Sequence, residues 1–177
     1  SISDTVWQTQ RHRFIWLLVN LGTALLAVWV ISQFEATIQQ LVVLAVLMPI
    51  VASMGGNAAG QTMTVTVRAL ATKDLGAANA YRVIGRETVV GLLNGLLFAT
   101  LLGTIVYLWF GSDELGLVIG AAMIVNFLVA ALAGILIPLA LNYFGIDPAV
   151  ASGVFVTTVT DVVGFFAFLG LATLWLI

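Results

Sequence analysis

The sequence predicts an all-α integral membrane protein with five transmembrane helices per chain. Three observations carry that prediction. Of 177 residues, 62% are hydrophobic and only 8% charged, whereas a soluble domain carries about 25% charged residues. The mean hydropathy is +1.15, so too little polar material remains to cover a water-facing surface. Several apolar runs approach or exceed the ~18–20 residues that cross a bilayer as a helix. These runs are rich in Leu, Ala and Gly and lack the alternation with a period of two that marks the strands of a membrane β-barrel.

Residues 1–13 are polar and read as a cytoplasmic connecting segment. No small-residue cleavage site follows them, so they do not form a cleavable signal peptide. Residues 14–177 form the membrane domain. Span one is predicted over Phe14–Ser32. Span two covers Gln40–Ala59, with helix running on to Ala71. Span three covers Thr88–Phe110, span four Gly116–Tyr143 and span five Ala149–Ile177. The linkers Gly111–Leu115 and Phe144–Pro148 are short, so neighbouring helices should be antiparallel. The pairs Gly91/Gly95 and Gly116/Gly120 are four apart and suit close helix packing within one bundle more than a dimer seam. With Cys 0, disulfides and thiolate metal sites are excluded, and a net charge of −2 gives no sign of nucleic acid.

Charge sets the orientation. All 6 Lys and Arg residues fall in two places: Arg11 and Arg13 before span one, and Arg68, Lys73, Arg82 and Arg86 between spans two and three. The segments at the opposite ends hold only Glu35, Asp113 and Glu114. The positive-inside rule then places the N-terminus in the cytoplasm. Trp29, Trp109 and Trp175 lie near the predicted outer ends, where interfacial anchors belong. Glu87, beside Arg86, is read at the start of a helix, where an acid suits the dipole.

Asp161 is the one acid well inside a predicted span. About a dozen residues in, at 1.5 Å each, it lies ~18–20 Å deep. A carboxylate there costs at least ~2.5–3.5 kcal/mol on insertion scales. No Lys or Arg lies at similar depth in another span. Water, a proton or a bound cation must therefore meet it. Thr157 and Gly153 precede it by four and eight residues and share its helix face. Thr158 and Thr160 point elsewhere and are expected to bond back to their own helix. In span two, Ser53, Asn57, Gln61, Thr64 and Arg68 are spaced by four, four, three and four, forming one polar stripe. Pro49, Gly55, Gly56 and Gly60 allow bending there and expose carbonyl oxygens. Asn94 and Asn126 read as helix–helix contacts. A water-filled path lined by the two clusters is the economical reading.

One carboxylate holds a divalent ion poorly. Two copies meeting at a symmetry axis would cancel a 2+ charge. Magnesium suits such a site, since it takes octahedral oxygen coordination and keeps several of its waters. Spacing alone does not separate it from manganese, cobalt or calcium. Two metal-free carboxylates side by side repel, so acid should compete with the ion.

The stretch Pro49–Thr62, which contains Gly55, Gly56 and Asn57, resembles the second-helix motif of the MgtE family of magnesium channels. Asp147–Phe165 resembles that family's final helix. The five-span layout and Arg68–Ala71 add to the resemblance, which covers nearly the whole chain. Ala59 departs from the family pattern by taking a glycine slot, with Gly60 following it. The resemblance implies a homodimer whose second and fifth helices line an ion path across the inner (plasma) membrane. It implies that Asp161 binds a largely hydrated magnesium ion. Gly56, Asn57, Gln61, Thr64, Gly153 and Thr157 then become pore or hydration-shell candidates. It also implies cytoplasmic regulatory domains in the full-length protein, N-terminal and CBS, that this stretch does not include; flux through residues 1–177 alone should then respond less to internal magnesium. A proton- or sodium-coupled carrier using Asp161, or a structural membrane subunit, are the alternatives. No enzymatic activity is expected: an intramembrane aspartyl protease needs paired acid motifs, and only one acid stands in the spans.

Overall fold

The computed structural model describes residues 5–76 and 78–177. Six helices account for them: α1 (Val6–Ser32), α2 (Glu35–Gln40), α3 (Val43–Ala71), α4 (Ala80–Phe110), α5 (Asp113–Tyr143) and α6 (Pro148–Leu176), with no strand among the described residues. All but α2 are long and apolar enough to cross a bilayer. The five predicted spans are these five helices.

Local chemistry sets their ends. Thr5 and Gln8 form a capping box on α1: Gln8 N–H donates to Thr5 Oγ1 at 3.2 Å, and Thr5 N–H donates to Gln8 Oε1 at 3.1 Å. The described part of the predicted connecting segment is thus the opening turns of α1, and residues 1–4 of it lie outside the described chain. α4 stops at Gly111, whose φ of 70° is the left-handed conformation that closes a helix most easily without a Cβ. Ser112 then caps α5 through Leu115 N–H, with Asp113 and Glu114 in its positive first turn. Asp147 caps α6 by accepting from Ala149 N–H at 3.0 Å, and Pro148 takes the first helical position.

Two expectations change. Helix α4 begins at Ala80, eight residues ahead of the predicted Thr88. Glu87 therefore sits two turns inside a helix and not at its start. Helix α2 was not expected. It is six residues long and polar, so no hydropathy signal marks it. It is tied to α6 by a Thr37–Thr173 hydroxyl pair at 2.8 Å and by an edge-to-face contact of Phe34 on Phe166.

α5 is the central post. It packs against α3, α4 and α6, while α1 packs chiefly on α6. Val118, Ile119, Ala122, Met123, Asn126, Ala130 and Ile135 of α5 are fully buried. Glycine permits its closest approaches. A Cβ on Gly116 would lie 2.6 Å from the Gly103 carbonyl oxygen, and one on Gly103 would lie 3.0 Å from the Gly116 carbonyl oxygen. Gly91 faces Ala131 and Phe127, Gly95 faces Ile124, and Gly120 faces the Ala99 carbonyl. Both glycine pairs therefore serve packing of α4 on α5 within the chain, as their spacing predicted.

Candidate functional site

The site is built on α3 and α6, which pack directly on each other. α3 turns Leu44, Leu47, Val51, Gly55, Ala59 and Thr66 inward. Ser53, Asn57, Gln61, Thr64 and Arg68 are all exposed, on the side away from that buried row. A Cβ placed on Gly56 or Gly60 would meet nothing within 4 Å. The polar stripe read from the sequence is real, and no described residue of the chain covers it.

α6 does the same. Thr157 is exposed, Asp161 and Gly153 are partly buried, and a Cβ on Gly153 would also meet open space. Farther along the face that carries Asp161, Phe165, Phe168 and Ala172 are buried. The helix is open around Asp161 and closed by aromatic packing one turn beyond it. Asn57 lies 14 residues from the Ala71 end of α3, and Asp161 lies 13 from the Pro148 end of α6. At ~1.5 Å per residue, both stand ~20 Å along their helices from the end of the bundle that carries Arg68 and Arg82.

The hydroxyls divide as expected on α6. Thr158 donates to the Val154 carbonyl at 2.7 Å, and Thr160 donates to the Thr157 carbonyl at 3.0 Å. On α3, Thr64 donates to the Gly60 carbonyl at 2.8 Å, which leaves its oxygen lone pairs facing outward. Asn57 Nδ2 donates to Ser53 Oγ at 3.4 Å, leaving its own carbonyl oxygen free as an acceptor. The uncovered face is thus rich in oxygen acceptors, the chemistry that hard cations and their water shells prefer.

Gln61 also borders a groove of about 170 Å³ between α3, α4 and α5. Thr62, Glu87 and Asn94 line it with Gln61. Asn94, expected in a helix–helix contact, is partly buried and lines this groove between the three helices. Asn126 is such a contact: it is fully buried and donates from Nδ2 to the Val51 carbonyl at 3.2 Å.

Five membrane-length helices with an uncovered polar face define a multi-pass membrane protein. Residues 48–171 match the family model MgtE, described as a divalent cation transporter. The chain belongs to the MgtE family. It is similar to proteins named magnesium transporter MgtE from Bacillus subtilis (31% identical, covering 92% of this chain and 36% of that protein), Enterococcus faecalis (34%, 99% and 39%) and Thermus thermophilus (35%, 93% and 36%). The chain therefore spans well under half the length of these curated relatives, 36–39%.

Proposed function

We propose that this chain is the ion-conducting membrane part of a magnesium channel, working as a homodimer in the plasma (inner) membrane with the N-terminus of α1 in the cytoplasm. One observation carries the reading. Two adjacent membrane helices present Ser53, Asn57, Gln61, Thr64 and Thr157 on surfaces that the described residues leave uncovered, with Asp161 half-open beside Thr157. Hydrocarbon does not tolerate such groups, so water and a second copy must meet them.

Two copies joined along this face bring two Asp161 carboxylates to the axis. Their combined charge balances a divalent ion, and magnesium keeps most of its water shell there. The carbonyl of Gly56 and the side chains of Asn57, Gln61, Thr64 and Thr157 then hold the shell by hydrogen bonds. Gly153, without a side chain, leaves room for it. Manganese, cobalt and calcium are further candidate cargo for an all-oxygen site. The family and the names of the relatives support magnesium as the principal one.

The test is divalent-ion uptake into proteoliposomes containing wild type or Asp161→Asn, with folding checked by size exclusion. Loss of even an outer-shell partner costs ~10–100-fold in metal affinity, so magnesium flux should fall at least about ten-fold in a well-folded mutant. Undiminished flux would move Asp161 to a structural role. Saturable uptake with a fixed proton stoichiometry would replace the channel with a coupled carrier.

A further inference from the structure

Asn126 is the one amide buried completely in the central helix. Its Nδ2 reaches across to the Val51 carbonyl of α3 at 3.2 Å, while its Oδ1 has no partner. Two glycines receive the side chain. A Cβ on Gly55 of α3 would overlap Asn126 Nδ2, and its next two neighbours would be Cγ and Oδ1 of the same residue. A Cβ on Gly164 of α6 would lie 2.8 Å from Asn126 Nδ2 and 3.1 Å from Val51 Cγ1. Asn126 is therefore a peg in two opposed notches, one on each helix of the candidate site.

The notches stand next to the site in sequence and in depth. Gly55 directly precedes Gly56 and Asn57. Gly164 follows Asp161 by three residues, one turn along a shared face. Gly55, Asn126 and Gly164 are 16, 17 and 16 residues from the ends of their helices on the basic side, so the peg lies less than one turn, ~3–5 Å, above the Asn57–Asp161 level. A glycine notch fixes a backbone more closely than an ordinary side-chain contact, because the peg touches the main chain itself. Sliding α3 against α6 would drive one notch wall into the amide.

We propose that Asn126 is a positioning residue for ion recognition: it sets the register between α3 and α6, and so the placement of the Gly56 carbonyl and the Asn57 amide relative to the Asp161 carboxylate. The inference rests on the transport reading above. A buried amide that only holds the bundle together would affect stability. A register pin also affects which ion fits and how tightly.

The experiment measures magnesium and calcium uptake over a concentration series in proteoliposomes, with thermal unfolding in detergent alongside. The variants are Asn126→Ala, Asn126→Leu, Gly55→Ala and the double variant Gly55→Ala with Asn126→Ala. Asn126→Leu keeps the branched shape at slightly larger bulk and removes the hydrogen bond, so it carries the test if Asn126→Ala does not fold. The half-saturating magnesium concentration and the magnesium-to-calcium ratio should each shift on the order of ten-fold in either Asn126 variant, as expected for a group that positions a metal's outer shell. Gly55→Ala alone should cause a similar shift by wedging the notch. The double variant should lie closer to wild type than the product of the single effects, because the space left by the amide accepts the new methyl. Lower thermal stability with unchanged half-saturation and ion ratio would overturn the proposal and leave the channel reading standing. Absence of magnesium uptake by wild type would overturn the channel reading, and the inference with it.

Discussion

At the scale of single residues, Asp161 and Asn126 divide two tasks that a membrane interior makes expensive. Asp161 is left partly open, and its charge has to be met by something that arrives. Asn126 is sealed and met, on its donor side, by a backbone carbonyl. Metal binding to a carboxylate displaces protons. Magnesium uptake by wild type should therefore need higher ion concentrations as the medium is acidified, and this dependence should disappear in any residual flux of Asp161→Asn. Half-saturation measured across the weakly acidic range checks it, and a flat profile would count against paired carboxylates. Asp161 was legible in the sequence because an acid in a long apolar run has no inexpensive explanation. The contact role of Asn126 was legible as well, but its partners were not. They are glycines on two other helices, and a missing side chain leaves no pattern to follow.

At the scale of elements, hydropathy located each long helix and misjudged where some begin. Arg82 and Arg86 lie outside the predicted third span, which starts at Thr88, yet the α4 backbone is helical through them from Ala80. Apolarity reports where a helix meets hydrocarbon, while hydrogen bonding carries it on into the headgroup region. The six residues of α2 escaped notice for the converse reason: they are helical without being apolar. The tight face between α4 and α5 makes a mutational contrast. Gly116→Ala places a methyl against the Gly103 carbonyl and should destabilise by about 1–3 kcal/mol, the usual cost of overpacking. Gly85→Ala, on the same helix as Gly103 but in open space, should stabilise by roughly 0.5–1 kcal/mol through helix propensity. Thermal unfolding of the two variants in one detergent compares them directly, and equal behaviour would mean that the close approach has no energetic weight.

At the scale of the whole molecule, the bundle presents two kinds of surface. α1 and α4 expose Leu17, Leu21, Leu25, Leu93, Leu97 and Leu108, as lipid-facing helices should. α3 and α6 expose the polar groups. Since the chain has Cys 0, single cysteines report without background. Ser53→Cys should cross-link between copies in the membrane, and Leu17→Cys should not. Cross-linking at Leu17 with none at Ser53 would place the copies on a different face and remove the shared axis from Asp161. A dimer on this face stays a proposal drawn from the polar stripe, because a stripe shows that something must cover it without showing the cover.

The pairing of α1 with α6 bears on how the protein is made. Ribosomal synthesis releases α1 well before α6, with four helices between them, yet α6 is the neighbour on which α1 chiefly packs. The hairpin of α4 and α5, joined by Gly111 and Ser112, can assemble as soon as it leaves the insertion machinery. α1 has to wait in lipid until α6 emerges, so their pairing comes late in the assembly of these helices. Contacts this distant along the chain form late and slowly. α3 also gains its α6 neighbour only at that step, so the polar surface they share comes into being together with the five-helix bundle.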